Sequence, residues 1–327
     1  EADGARGRPL KAPAAHEPVV PVFASLAVVV AGMNGLGKPL DEAWVHRPER
    51  FAALTGLRMG QKISSGALAQ ALTHPEGGLK GIPPGTRRVA LLNQADTTLR
   101  QSQAASLAKR LLEAYESVVI ASCEVGEVHA VHERVAGILL AAGGSTRFGQ
   151  PKQLLTYRGQ PFVRRIAQTA LQAGLSPLVV VTGAHAARVE DALAPLPVNI
   201  VHNPAWRSGQ ASSIRVGLET VLAGHPVGAA IFLLADQPQV SLPLLRSLVE
   251  EHARTLSPVV APLVRGRRAT PVLFDRVTFP ALLALQGDRG GRATFSTYPP
   301  AYLPWHDETL LLDVDTPEDY DRLLRLG

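Results

Sequence analysis

Lysine is scarce in this chain: of the 33 Lys and Arg residues only six are lysines, and beyond Lys109 the sole one is Lys152. Cysteine is scarcer still. Cys123 stands alone, which excludes an intramolecular disulfide framework and a Cys-rich structural zinc site and fits a reducing cytosol. Long apolar runs are lacking too. The stretch over residues 26–31 is far too short to span a bilayer, and no charged segment leads into an apolar one as in a secretion signal. A net charge of +5 is spread along the chain with no run of like charges and no basic stripe interleaved with aromatics. That pattern argues against nucleic acid and is explained equally well by small anionic ligands. No Gly-x-x-x-x-Gly-Lys-Ser/Thr occurs, so any nucleotide site in the first third lacks its own phosphate cradle.

What is present suits a globular protein. With 327 residues and 46% hydrophobic content, the chain can form two domains with substantial cores. Apolar runs at residues 23–30, 89–92 and 117–121 alternate with helical patterns at 39–72 and 99–115, which argues for a parallel α/β layer. The chain opens on Glu1-Ala2-Asp3-Gly4, an acidic pair and glycine of the kind that closes a strand, so the first domain is expected to be cut at its front. Residues 123–134 are polar and acidic and read as a connection, their His129 and His132 as incidental. The expected division is residues 1–125, a linker at 126–133, and residues 134–327.

The second domain opens on the most informative stretch. Ile138, Leu139 and Leu140 form a short apolar run of the kind a strand buried on both faces shows. Gly143, Gly144 and Gly149 then break it, letting backbone amides approach a ligand, while Arg147 and Lys152 add fixed positive charge. Such a loop can be an ordinary strand-to-helix turn or a cradle for a polyphosphate. A chain that uses arginine nearly everywhere keeps a compact ammonium here, and the two cations are not interchangeable at a phosphate.

Other motifs fall at strand ends. Residues 229–234 form the most apolar strand and end in Ala235-Asp236-Gln237-Pro238. A carboxylate there lies on the edge where open α/β sheets bind ligands and is a candidate magnesium ligand, or else starts a turn before proline. Residues 310–314 read as a strand closing in Asp313-Val314-Asp315-Thr316-Pro317-Glu318-Asp319; Thr316-Pro317 starts a helix, which explains Asp319 and leaves Asp313 and Asp315 at the strand end. Ser212 and Ser213 either cap the helix that follows or donate to a ligand. In Asn93-Gln94-Ala95-Asp96, Asp96 either caps a helix from about Thr97 or plays the part of the base-reading carboxylate in the Asn-Lys-x-Asp of GTPases.

Two resemblances follow. Glu-Ala-Asp-Gly-Ala-Arg-Gly, Lys-Ala-Pro-Ala-Ala-His-Glu-Pro and Leu-Asn-Gln-Ala-Asp resemble the C-terminal part of YqeC-like selenium-dependent hydroxylase accessory proteins, over about residues 1–125. That likeness makes Asp3 a remnant magnesium-facing residue. Leu-Ala-Ala-Gly-Gly-Ser-Thr-Arg-Phe-Gly-Gln-Pro-Lys, Asn-Pro-Ala-Trp-Arg-Ser-Gly-Gln-Ala-Ser-Ser, Ala-Asp-Gln-Pro, Gln-Gly-Asp-Arg-Gly-Gly-Arg and Asp-Val-Asp-Thr-Pro-Glu-Asp are similar to the molybdenum cofactor cytidylyltransferases of the MobA-like nucleotidyltransferase family, over about residues 134–327. The fold implied is α/β: a C-terminal Rossmann-like nucleotidyltransferase domain with a mainly parallel sheet, preceded by a partial P-loop-NTPase-like α/β domain.

The second resemblance implies a reaction, attack of the terminal phosphate of molybdopterin on the α-phosphorus of CTP with release of pyrophosphate. It makes Arg147, Lys152 and Asp236 the catalytic residues and Asp236 and Asp315 the ligands of Mg2+. Nucleotide contacts fall to Leu140, Ala141, Ala142, Gly143, Gly144, Ser145, Thr182, Gly183, Ser212 and Ser213. Ala141-Ala142-Gly143 resembles the CTP-using branch, where GTP-using relatives tend to have Ala-Gly-Gly. Ala269-Thr270 stands before Pro271 where the family often has glycine. The implied partners are CTP, molybdopterin and a molybdenum hydroxylase, with no nucleic acid and no membrane. Two alternatives remain, a maturation scaffold without turnover and a transferase acting on a sugar or polyol phosphate.

Overall fold

A computed structural model describes residues 4–144, 148–224 and 226–326. Its contacts divide the chain into two compact units at Glu133/Arg134. Asp3, Ser145 and Arg147 lie outside the described residues.

The first unit is built on a sheet of β1 (Leu26–Gly32), β2 (Arg87–Asn93), β3 (Ser117–Ser122) and β4 (Glu127–Glu133), in that order. β1, β2 and β3 are parallel and β4 is antiparallel to β3. The β-branched runs Val28-Val29-Val30 and Val118-Val119-Ile120 suit such pairing. The region read as mainly helical over residues 39–72 resolves into α1 (Pro48–Thr55) and α2 (Ser65–Thr73). Pro48 begins α1 and Gly56, at φ 72°, ends it in the left-handed region, so the pattern could not run on as one helix. The next helix, α3 (Thr98–Leu111), is capped by Thr97, whose Oγ1 accepts from the Arg100 amide. Asp96 is not that cap; it pairs with Arg100 at 3.3 Å. α2, α3 and the sheet enclose Leu68, Leu92, Leu107, Leu111 and Ile120, and the buried Tyr115 hydroxyl donates to Leu72 O at 2.7 Å.

Residues 126–133 are not a linker. Seven of them form β4, and its short polar and apolar alternation resembles a connection because it is an edge strand with its outer residues in solvent.

The second unit orders its sheet as β7 (Asn199–His202), β6 (Leu178–Thr182), β5 (Val135–Ala141), β8 (Ala229–Leu234), β10 (Val272–Asp275) and β9 (Val259–Val264), with β11 (Ala301–Pro304) against β9. β7, β6, β5 and β8 run parallel, β10 is antiparallel to β8 and β9, and β11 runs parallel to β9. α4 (Phe162–Gln172), α5 (Ala186–Leu193) and α7 (Leu242–Thr255) contribute to the apolar layer on one face. α6 (Gln210–Leu222) and the short α8 (Phe279–Leu283) contribute to the layer on the other. Gly217 lets α6 lie close to the sheet, since a Cβ there would stand 2.6 Å from Ile138 Cγ2.

Residues 310–314 are not a strand. Glu308–Leu311 is a 3-10 turn, and Gln239 Nε2 donates to the carbonyls of Thr309 (3.1 Å) and Leu312 (2.6 Å). A side-chain amide does here what a strand ladder would do elsewhere. The chain ends in α9 (Pro317–Leu326), docked through Val314, Tyr320 and Leu323 onto Leu155, Tyr157 and Phe162. Among the described residues, no helix is long and apolar enough to cross a membrane.

His132, on β4, is buried, and its Nε2 finds no hydrogen-bond partner among the described residues. Burial, with the Lys109 charge adding, pushes its imidazole down to about 4. An unfolded chain takes up this proton near pH 6.5 while the native unit refuses it, so stability is full above about pH 6.5 and is lost as pH falls towards 4. The loss reaches on the order of 3 kcal/mol if no other group compensates. The exchange protection of the amides of residues 117–133, taken relative to their intrinsic rates at each pH, should fall over that window, and His132→Phe should flatten the dependence.

Candidate active site

The glycine loop leaves β5 at Ala141. Gly143 carries nothing within 4 Å of where a Cβ would be, so its outer side is open, whereas a Cβ on Gly144 would stand 2.9 Å from Trp206 Cη2. Further along, the chain turns at Gly149, with φ 77°, into the 3-10 turn Lys152–Leu154. Gln153, only 4% exposed, returns its Nε2 to the carbonyls of Gly143 (2.6 Å) and Ala141 (3.1 Å). It therefore pins both ends of the described glycine segment. Sequence reasoning passed over Gln153; the available signal was a glutamine held between Lys152 and an apolar pair.

The two carboxylates arrive from other elements. Residues 135–140 of β5 pair with residues 229–234 of β8, and the Ala235 amide donates to Leu140 O at 3.2 Å, so Asp236 emerges beside the loop. Asp315 precedes α9. There the Asp319 carboxylate accepts from the amides of Asp315 (3.2 Å) and Thr316 (2.9 Å), while the Asp319 amide donates to Thr316 Oγ1 (3.2 Å). This reciprocal cap fixes the backbone that carries Asp315. Burial works against the Asp319 charge, but the bonds from Thr316 and Asp315 outweigh it and lower its pKa.

Lys152 joins them. Its Nζ stands 2.7 Å from Asp315 Oδ1 and 3.2 Å from Asp236 Oδ2. Burial disfavours the ammonium, yet the two carboxylates prevail and its pKa is raised. Asp236 is raised as well, chiefly by burial, with Lys152 opposing and Asp313 adding. The raised Asp236 pKa therefore reports mainly the removal of its carboxylate from water. Two carboxylates beside an open glycine loop suit a divalent cation such as Mg2+ or Mn2+, which proteins often hold through one or two carboxylates plus substrate phosphates. Asp313, which the sequence left beside Asp315, is turned elsewhere. Its Oδ1 accepts from the buried Gln237 amide at 2.6 Å, and Gln237 Oε1 accepts from Thr270 Oγ1.

These groups open onto a cleft of about 930 Å³ that Leu140, Ala142, Gly143, Gly144, Lys152, Ser213, Asp236 and Asp315 help to line. Not every expected residue faces it. Ala141 is buried, and Thr182 is fully buried with its Oγ1 directed at Val201 O. Gly183 lines a neighbouring pocket with His185, His202 and Trp206. Neither serine caps α6, whose N-cap is Gly209. Instead Asn203 Nδ2 donates to Ser212 Oγ (2.8 Å) and Ser213 Oγ (3.0 Å), joining the loop after β7 to the helix. On the far side, Asp288 lines the cleft, and Gly287 O accepts from the Ala211 amide at 3.1 Å.

Gln153→Leu should remove both bonds to the loop and strand two carbonyls, at a cost of about 1–3 kcal/mol. The check is a denaturation midpoint measured together with triphosphate affinity, which should fall as the loop loosens; unchanged values of both would refute the pinning role.

Comparison with known proteins places the chain. The MobA-like NTP transferase domain matches residues 137–311, and the YqeC protein family matches residues 1–49. Nicotine blue oxidoreductase of Paenarthrobacter nicotinovorans is 35% identical over 200 residues, covering 58% of this chain and 96% of that protein. YqeC of Escherichia coli, strain K12, is 39% identical over 106 residues, covering 32% of this chain and only 41% of that protein. A probable molybdenum cofactor guanylyltransferase of Bacillus cereus, strain Q1, is 31% identical over 134 residues, covering 41% of this chain and 64% of that one. Among solved structures, Rv0371c of Mycobacterium tuberculosis H37Rv is 30% identical with a TM-score of 0.53, covering 59% of this chain and 98% of its own. Its manganese complex is 30% identical with a TM-score of 0.50, covering 59% and 100%. The first part of this chain is similar to the YqeC protein, and the chain is a nucleotidyltransferase that belongs to the MobA-like NTP transferase family.

Proposed function

We propose that this chain transfers the cytidylyl group of CTP to molybdopterin, yielding the cytosine dinucleotide form of the cofactor and pyrophosphate. The observation that carries the reading is the meeting of Lys152, Asp236 and Asp315 beside the open Gly143. A relative named as a probable molybdenum cofactor guanylyltransferase supports the acceptor, and Ala141-Ala142-Gly143 favours CTP over GTP. A molybdenum hydroxylase is the partner that would receive the product.

In this reading an oxygen of the terminal phosphate of molybdopterin bonds to the α-phosphorus of CTP. The bond from that phosphorus to the bridging oxygen of the β-phosphate breaks, and the electron pair leaves with pyrophosphate. The nucleophile is already anionic, so no side chain has to take a proton. Amides of the Gly143 and Gly144 segment bind the triphosphate, and Lys152 and Arg147 neutralise its charge. Asp236 and Asp315 would hold a divalent cation, Mg2+ in our reading; when bound, it supplies further charge neutralisation at the phosphates. Alignment and preorganised positive charge then account for the rate.

Nucleotides crossed with acceptors and read by pyrophosphate release test the proposal. CTP with molybdopterin should be the productive pair; a preference for GTP, or for a sugar or polyol phosphate, would replace it. Asp236→Ala should lower turnover by roughly 10²–10³-fold or more while the chain stays folded, and undiminished release would overturn the assignment. Lys152→Ala should weaken CTP binding, and equal affinity would remove the lysine from the triphosphate site.

A further inference from the structure

We infer that Lys152 occupies the divalent-cation site of the nucleotide-free protein, so that cation and triphosphate must each draw its ammonium away from the same two carboxylates. The inference rests on the reading of Asp236 and Asp315 as cation ligands and adds an order of events to it. Lysine and cation become competitors for one place.

The geometry carries this in three steps. First, the ammonium bonds to both carboxylates at once, at 2.7 and 3.2 Å, and its side chain is only 16% exposed. An ion held by the same oxygens would sit about 2.1 Å from each. It would share the space of Nζ, and two like charges cannot both remain there. Second, the carboxylates are not the parts that move. Asp315 stands on the Asp319 cap, and Asp236 leaves β8 just after Ala235, which is bonded to Leu140 O. Third, the base of Lys152 is fixed as well. The neighbouring Gln153 is locked into the loop, which leaves the four-carbon stem as the mobile part.

The destination is close by. Lys152 belongs to the segment that follows the phosphate loop, and Gly143 and Gly144 share its cleft. A triphosphate bound there offers the ammonium new oxygens and leaves the carboxylates to the cation. Free cation therefore binds weakly until nucleotide arrives, and the coupling is reciprocal.

Titrating the full chain with Mn2+ alone, with free ion read by electron paramagnetic resonance, tests the inference without nucleotide or acceptor. Lys152→Gln should tighten Mn2+ binding about tenfold, a change of about 1.4 kcal/mol. Lys152→Met, which keeps the packing of the stem, should behave alike. The gain should persist near 1 M salt, where the Debye length is about 3 Å and more distant charge effects are screened. It should vanish in Lys152→Gln combined with Asp236→Asn, which locates the ion. Unchanged or weaker Mn2+ binding in both single variants overturns the inference, as does a gain abolished by salt. Tighter Mn2+ binding in a chain that transfers no cytidylyl group keeps the competition and removes the transfer reading. Normal transfer with Mn2+ affinity indifferent to residue 152 removes the competition alone.

Discussion

One ammonium shared by two carboxylates organises the edge of the second unit's sheet where β5 and β8 end. Lys152 lies 84 residues from Asp236 and 163 from Asp315, so the contact exists only if three segments far apart in sequence are delivered to one point. The parallel pairing of β5 with β8 performs the first delivery by aligning the strand exits. The second depends on α9, which is anchored by its apolar residues and by the Tyr320 hydroxyl bonded to Thr156 O at 2.7 Å. An error of one residue at the β8 exit would move Asp236 to the other side of the chain.

Neutral amides maintain the rest of that edge. Gln153 holds the glycine loop, Asn203 joins the loop after β7 to α6, Gln237 engages Asp313 and Thr270, and Gln239 holds the segment before α9. Each carboxamide bonds to backbone or polar groups without adding net charge beside the Lys152, Asp236 and Asp315 cluster. A lysine or glutamate in any of these places would satisfy some of the same partners but shift the balance among Lys152, Asp236 and Asp315.

Much of this was legible in the sequence. The apolar run before the glycines, the isolated Lys152, and Asp236 at the end of the most apolar strand all have local signatures. So does the Thr316 to Asp319 cap, which depends on three consecutive bonds within one turn. Other features turn on partners that the sequence does not identify. Residues 127–133 look like a connection until β3 is beside them, and residues 310–314 look like a strand until Gln239 takes their carbonyls. Thr182 and Ser212 sit within suggestive motifs, yet Thr182 turns to Val201 O and Ser212 to Asn203. Polar side chains at strand ends can serve a ligand or a neighbouring loop, and tertiary packing makes the choice.

Close backbone packing also constrains the residues where β5 and β6 leave the sheet. Ala141 and Ala142 are both buried. Ala142 acts on its neighbour through its backbone. A Cβ at Gly183 would stand 2.5 Å from Ala142 O and 2.8 Å from Ala142 Cβ, and because the carbonyl belongs to the backbone, residue 183 is confined to glycine whatever side chain stands at 142. Gly183 in turn forms part of the pocket floor beside Gly144 and Trp206.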